Sequence, residues 1–170
     1  MRHSGEVQFD SPATLLPPRH RVVPGAKQWW TIRALMGVAM LLLPQLVALM
    51  ITGMQWLLAT LIATAALGAV YVVVMPRLRY RVHRWEALPE AVYTLTGWLS
   101  REWRVAPLSR IQTIDTQRGP LQQLLGLATV TITTASAAGP LKIDGLDADD
   151  AAQLARSLTE ETNRTAGDAT

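Results

Sequence analysis

Two long stretches without a charged side chain constrain this chain most. Residues 34–51 carry no charge, and neither do residues 56–75, whose polar side chains are two threonines and a tyrosine. As α-helices the two stretches are about 27 and 30 Å long, close to the ~30 Å hydrocarbon core of a bilayer. The rest of the chain is too short to cover two helices that are apolar all round, so we expect two transmembrane helices.

The two predicted spans form a hairpin, because only residues 52–55 connect them. Basic side chains precede the first span and follow the second, and the connection between the spans has none. The positive-inside rule therefore predicts a multi-pass protein of the plasma membrane with both termini in the cytoplasm. Trp29 and Trp30 are expected to anchor the hairpin at the inner membrane interface, and Trp56 at the outer one.

A polar residue, Gln45, follows Pro44 inside the first span. One reading is a transport residue, which makes the chain a small oligomeric transporter or channel subunit. The favoured reading is a single amide tolerated at a helix–helix contact, since one polar side chain does not make a pathway.

Composition and charge exclude several other functions. The net charge of +3 lies in residues 1–33, with five basic and two acidic side chains, whereas residues 76–170 hold eleven of each, so we expect no nucleic-acid partner. The chain has no cysteine, and its three histidines are scattered, so neither a metal nor another cofactor is expected. The sequence has no nucleophile elbow, phosphate-binding glycine loop or HExxH motif, so no enzyme is predicted.

After the hairpin the hydrophobic period changes to two, which is typical of half-buried strands. Alternation predicts six strands at hairpin distances, and hence a mainly antiparallel sheet, at residues 77–83, 92–95, 102–105, 111–116, 129–133 and 141–144. A C-terminal helix follows, with Asp147 as its N-cap; we read the nearby aspartates as capping residues rather than a cation site.

This order predicts a membrane α-helical hairpin followed by a pleckstrin-homology-like (PH-like) domain. Such a domain is a bent antiparallel sheet, or partly open barrel, capped by a C-terminal α-helix. The expected divisions are a flexible tail at 1–28, the hairpin at 29–76, the PH-like domain at 77–162 and a disordered tail at 163–170.

Several segments also resemble a known bacterial family. They are Val-Ala-Pro-Leu-Ser-Arg-Ile-Gln at 105–112, Gln-Arg-Gly-Pro-Leu at 117–121 and Leu-Leu-Gly-Leu-Ala at 124–128, with shorter matches at 80–82, 92–93 and 97–99. In combination they are similar to the second type of bacterial PH domain, found in YdbS-like membrane proteins, over about residues 20–160. The resemblance implies a membrane-anchored cytoplasmic PH-like domain, often accompanied by a larger relative with several copies of the domain.

Two sets of residues are candidate contacts. The first is basic and lies where the chain leaves the membrane: Arg77, Arg79, Arg81 and Arg84. Spacing by two places the first three on one face of the predicted strand, where they either bind anionic headgroups of membrane lipids or only set the topology. The second set is Leu121, Leu124 and Leu125. These leucines either contact the membrane or a partner, which is a membrane protein or another copy of the chain, or they plug the open end of the sheet.

Overall fold

The computed structural model describes residues 18–136 and 139–167. Two antiparallel helices of 28 residues each, α1 (Gly25–Thr52) and α2 (Gln55–Val82), form the predicted hairpin. Gly53 ends α1 at φ 65°, a left-handed conformation that glycine adopts without strain, and its N–H donates to the carbonyl oxygen of Leu49 at 2.9 Å. The apolar side chains of both helices are largely exposed, as expected for segments that lipid surrounds.

The prediction of a strand at residues 77–83 is wrong, because α2 continues through Val82. The N–H of His83 still donates to the carbonyl oxygen of Arg79 at 2.8 Å, which completes the last helical turn. Arginine favours helices, and basic side chains near a helix C-terminus interact well with its dipole. Over so short a segment, alternation of arginine with apolar residues does not distinguish a strand from a helix.

Two antiparallel sheets follow the hairpin. The first has the strand order β1 (His20–Arg21), β2 (Arg84–Ala87), β3 (Ala91–Thr96) and β4 (Glu102–Pro107). The second has the order β5 (Ile111–Gln117), β6 (Leu127–Thr134) and β7 (Leu141–Asp147), and the short helix α3 (Pro120–Leu124) lies between β5 and β6. The other five predicted strands are confirmed and correspond to β3 to β7.

The first sheet contains a pairing that crosses the hairpin. Strand β1 precedes α1 in the chain, yet it pairs with β2, which follows α2, so that His20 lies opposite Trp85 and Arg21 opposite Arg84. The predicted tail at 1–28 is therefore wrong for residues 18–28, which are part of the fold; residues 1–17 lie outside the described part of the chain. Two-residue β1 has no alternation that could have revealed it.

The chain ends in the helix α4 (Ala148–Gly167). Its predicted N-cap is confirmed, because the N–H of Asp149 donates to Oδ1 of Asp147 at 3.0 Å. Ala151, Leu154 and Leu158 are buried in the core between the sheets. Residues 163–167 are helical, so the predicted disordered tail is wrong there, and residues 168–170 lie outside the description. The two sheets and this helix form a PH-like domain whose sheet is not closed.

Candidate functional site at the junction of hairpin and domain

A second apolar cluster joins the hairpin to the domain. It consists of Val22, Ala26, Trp29, Trp30 and Leu127, all nearly inaccessible to solvent. The indole of Trp30 is only 1% exposed, so the structure places this predicted membrane anchor, like Trp29, inside the protein. The predicted outer anchor, Trp56, is 61% exposed at the start of α2.

The backbone of β7 lies directly against α1 in this cluster. Gly145 has φ 76°, and a Cβ atom there would collide with Cβ of Ala26. Glycine is therefore required at this position both by its conformation and by the close approach of the helix.

The charged centre of the junction is Arg79 near the end of α2. Its guanidinium forms an ion pair with Oδ2 of Asp144 at 2.8 Å and lies 4.7 Å from the ring centroid of Trp30. The two charged side chains are 29% and 20% exposed, so water screens the pair only in part. Arg79 thus links α2, α1 and β7 at a single point.

Hydrogen bonds extend from this ion pair into the domain. Thr129 donates to Oδ1 of Asp144 at 3.2 Å, and Nε2 of Gln122 donates to the hydroxyl of Thr129 at 2.9 Å. Oε1 of Gln122 in turn accepts from the N–H of Gly119 at 2.9 Å. Because Gln122 and Thr129 are buried, this polar chain connects the membrane-proximal helix end to the loop before α3.

A buried histidine completes the site. His83 is 1% exposed, its Nε2 accepts from the N–H of Asp144 at 3.2 Å, and its ring meets that of Trp30 edge-on at 5.7 Å. Burial lowers the pKa of His83 to about 4, and Arg79 adds to this, although the carboxylate of Asp144 opposes it. The imidazole is therefore neutral at physiological pH.

The predicted arginine face is divided by the helix. Because successive helical residues are about 100° apart, Arg77 and Arg81 share one exposed face while Arg79 points the other way, into the junction. Arg84 is half-buried on β2, opposite Arg21. Sequence reasoning singled out Arg79 but did not predict its ion pair with Asp144, and it missed the contact of His83 with Asp144, because these partners are distant in the chain. It also missed the role of Gln122.

The predicted leucine contacts also divide. Leu121 and Leu125 are partly buried against the second apolar cluster, so they close this end of the domain. Leu124 is 84% exposed and is the member of the set that remains available to a partner.

The turn between β3 and β4 lies beside the membrane helix. Trp98 in this turn meets Tyr71 of α2 edge-on at 5.9 Å, and Tyr71 belongs to the predicted span 56–75. The neighbouring Leu99 is 85% exposed. This end of the first sheet therefore lies beside the half of α2 that is nearer the domain.

No cluster of three or more histidine or acidic side chains suited to a metal occurs within residues 18–136 and 139–167. A cavity of about 520 Å³ opens beside the end of α2, and its lining includes the charged residues Arg79, Arg104, Lys142, Glu102 and Asp144. Arg104 is engaged with Glu102 at 2.6 Å and with the carbonyl oxygen of Pro140 at 2.9 Å.

The hairpin, the two sheets and the capping helix agree with the comparisons with known proteins. The sequence profile of the bacterial PH domain family matches residues 30–162, so the chain belongs to that family. It is a membrane protein with two candidate transmembrane helices. It is similar to transmembrane protein YdbS of Bacillus subtilis (strain 168), with 26% identity over 147 residues that cover 84% of this chain and 91% of that protein. No solved structure matches it significantly.

Proposed function

We propose that this chain is a membrane-anchored PH-like binding and scaffold module on the cytoplasmic face of the plasma membrane. The observation that carries the proposal is the junction, in which the Arg79–Asp144 ion pair, Trp30 and the β1–β2 pairing fasten the domain to both ends of the hairpin. Such an attachment presents the domain in one orientation to other membrane components.

The cytoplasmic orientation is supported by charge and by topology. Basic residues accumulate before the first helix and after the second, which favours a cytoplasmic location for both ends of the hairpin. Because β1 and β2 pair, the segment before the hairpin and the domain after it must lie on the same side of the membrane.

We propose that the region where the domain meets the hairpin binds anionic lipid headgroups of the membrane. Arg77 and Arg81 are exposed on one face of α2 just beyond the apolar span, and the side chains of Trp98 and Leu99 lie at a similar level. Each exposed arginine near an anionic surface contributes about 1 kcal/mol.

The proposed protein partner is another membrane protein with PH-like domains, either a second copy or a larger relative. Exposed Leu124 is the proposed contact.

We infer binding rather than catalysis, because neither the bacterial PH domain family nor the YdbS-like transmembrane proteins are enzymatic families. A transport pathway has less support, since Gln45 donates to the hydroxyl of Thr64 at 3.2 Å and the two polar groups satisfy each other.

Affinity purification of the full-length chain in mild detergent, followed by mass spectrometry, tests this function. We expect a PH-like membrane protein or a second copy of the chain to co-purify at fixed stoichiometry. The variant Leu124→Asp should lose this partner. The control Leu88→Asp, which changes a 45% exposed leucine in the β2–β3 turn, should retain it. A chain that purifies as a single copy without partners contradicts the scaffold role.

A further inference from the structure

A cleft of about 690 Å³ runs between α1 and α2 on the membrane side of the junction. Its walls are mainly apolar and include Gly37 and Leu41 of α1 and Leu67 and Tyr71 of α2, while Arg33 and Arg79 lie at its inner end. The volume is in the range of ligand sites in proteins, roughly 300–1,000 Å³. An apolar cleft with a cationic end matches the chemistry of an amphiphile.

The depth of the cleft corresponds to one leaflet of a bilayer. Beyond the cationic end at Arg79, the lining on α2 extends from Met75 to Thr64, which at about 1.5 Å per residue is a length of roughly 16 Å. Half of a ~30 Å hydrocarbon core is ~15 Å. The cleft thus spans the depth of an acyl chain of the inner leaflet.

Small residues keep the cleft open. A Cβ atom added at Gly37 would meet nothing within 4 Å, so glycine leaves space in the wall. At Gly68, in contrast, an added Cβ would overlap the side chain of Val38, so the two helices already touch there.

The inner end offers free donors to an anion. The charge of Arg79 is matched by Asp144, whereas none of the described residues forms an ion pair with Arg33, whose guanidinium lies 5.3 Å from the ring centroid of Trp29. Trp30 also lines the cleft, and its buried indole N–H has no acceptor among residues 18–136 and 139–167.

We propose that this cleft holds one acyl chain of an anionic phospholipid from the inner leaflet, with the phosphate at Arg33. The proposal rests on the membrane-anchored function proposed above and adds a specific lipid site within the hairpin. Bound lipid would fill the space between the helices next to the Arg79–Asp144 junction.

The test is native mass spectrometry of the full-length chain in detergent, with phosphatidylglycerol or phosphatidylcholine added. We expect one molecule of phosphatidylglycerol to bind in preference to phosphatidylcholine. Gly37→Leu should abolish this binding by filling the cleft, whereas Ala39→Leu, on an exposed position outside the cleft, should not. Arg33→Gln should reduce the preference about fivefold, and Lys27→Gln, which removes an exposed charge elsewhere on α1, should preserve it.

Equal binding of the two lipids by the unchanged chain overturns the proposal. Unchanged phosphatidylglycerol binding by Gly37→Leu, or an unchanged lipid preference of Arg33→Gln, also overturns it. Because the chain has no cysteine, Gly37→Cys supplies a single crosslinking site in native membranes. A crosslink from this position to a partner helix also overturns it. The partner-capture experiment depends on Leu124 in the domain, so the two proposals can fail separately.

Discussion

At the scale of single residues, Arg79 determines how the hairpin meets the domain. Its sequence neighbours Arg77 and Arg81 are exposed, yet Arg79 is paired with Asp144 and packed on Trp30. Because successive residues of a helix are about 100° apart, two of these arginines face solvent or lipid headgroups and the third faces the domain.

The Arg79–Asp144 pair should be measurably coupled. A double-mutant cycle with Arg79→Gln and Asp144→Asn, unfolded by denaturant in detergent, should give a coupling free energy of about 1.5 kcal/mol, because a charged hydrogen bond is partly buried. The control cycle at the exposed pair Arg164–Glu161 should give about 0.4 kcal/mol. Equal coupling at the two pairs would contradict the role of Arg79.

Buried His83 should make stability depend on pH. Its folded pKa of about 4 lies below the ordinary 6.5, so the folded state is fully favoured above pH 6.5 and loses stability as pH falls from 6.5 towards 4. His83→Asn should remove part of this slope in melting temperatures measured between pH 7.5 and 5. His20→Asn, at an exposed position, should leave the slope intact, and a slope unchanged by His83→Asn would contradict the burial argument.

At the scale of elements, the sequence was informative where neighbours along the chain set the structure. The two apolar spans, the strands β3 to β7 and the Asp147 cap follow from local patterns. The pairing of β1 with β2 and the hydrogen bond between His83 and Asp144 join residues more than 60 positions apart, and no local pattern encodes them.

The contact of β7 with α1 should depend on Gly145. Gly145→Ala adds a Cβ that collides with Ala26, whereas Gly126→Ala, at φ 67° with open space around it, adds only the backbone strain of about 1 kcal/mol. We therefore expect a larger loss of melting temperature for Gly145→Ala, measured on the full-length chain in detergent. Equal losses would show that the helix does not pack on this glycine.

The β3–β4 turn should contact the membrane. A cysteine at Leu99, labelled with an environment-sensitive dye, should give blue-shifted emission in liposomes, since the adjacent Trp98 packs on Tyr71 of the membrane span. The same label at Leu88, at the opposite end of the sheet, should report water. Water-like emission from Leu99 would contradict this placement.

At the scale of the whole molecule, the hairpin is an insertion between two strands of one sheet. Its entrance and its exit are both fixed in the domain, by β1 and by β2. The account therefore requires that the domain lie on one side of the membrane and the hairpin turn on the other.

Cysteine labelling in intact cells tests this requirement directly, and the cysteine-free chain needs only one substitution per variant. Met54→Cys, in the 49% exposed hairpin turn, should react with a membrane-impermeant maleimide in intact cells. Leu88→Cys, in the domain, should react only after the membrane is permeabilised. Labelling of Leu88→Cys in intact cells would contradict a cytoplasmic PH-like domain held by a transmembrane hairpin.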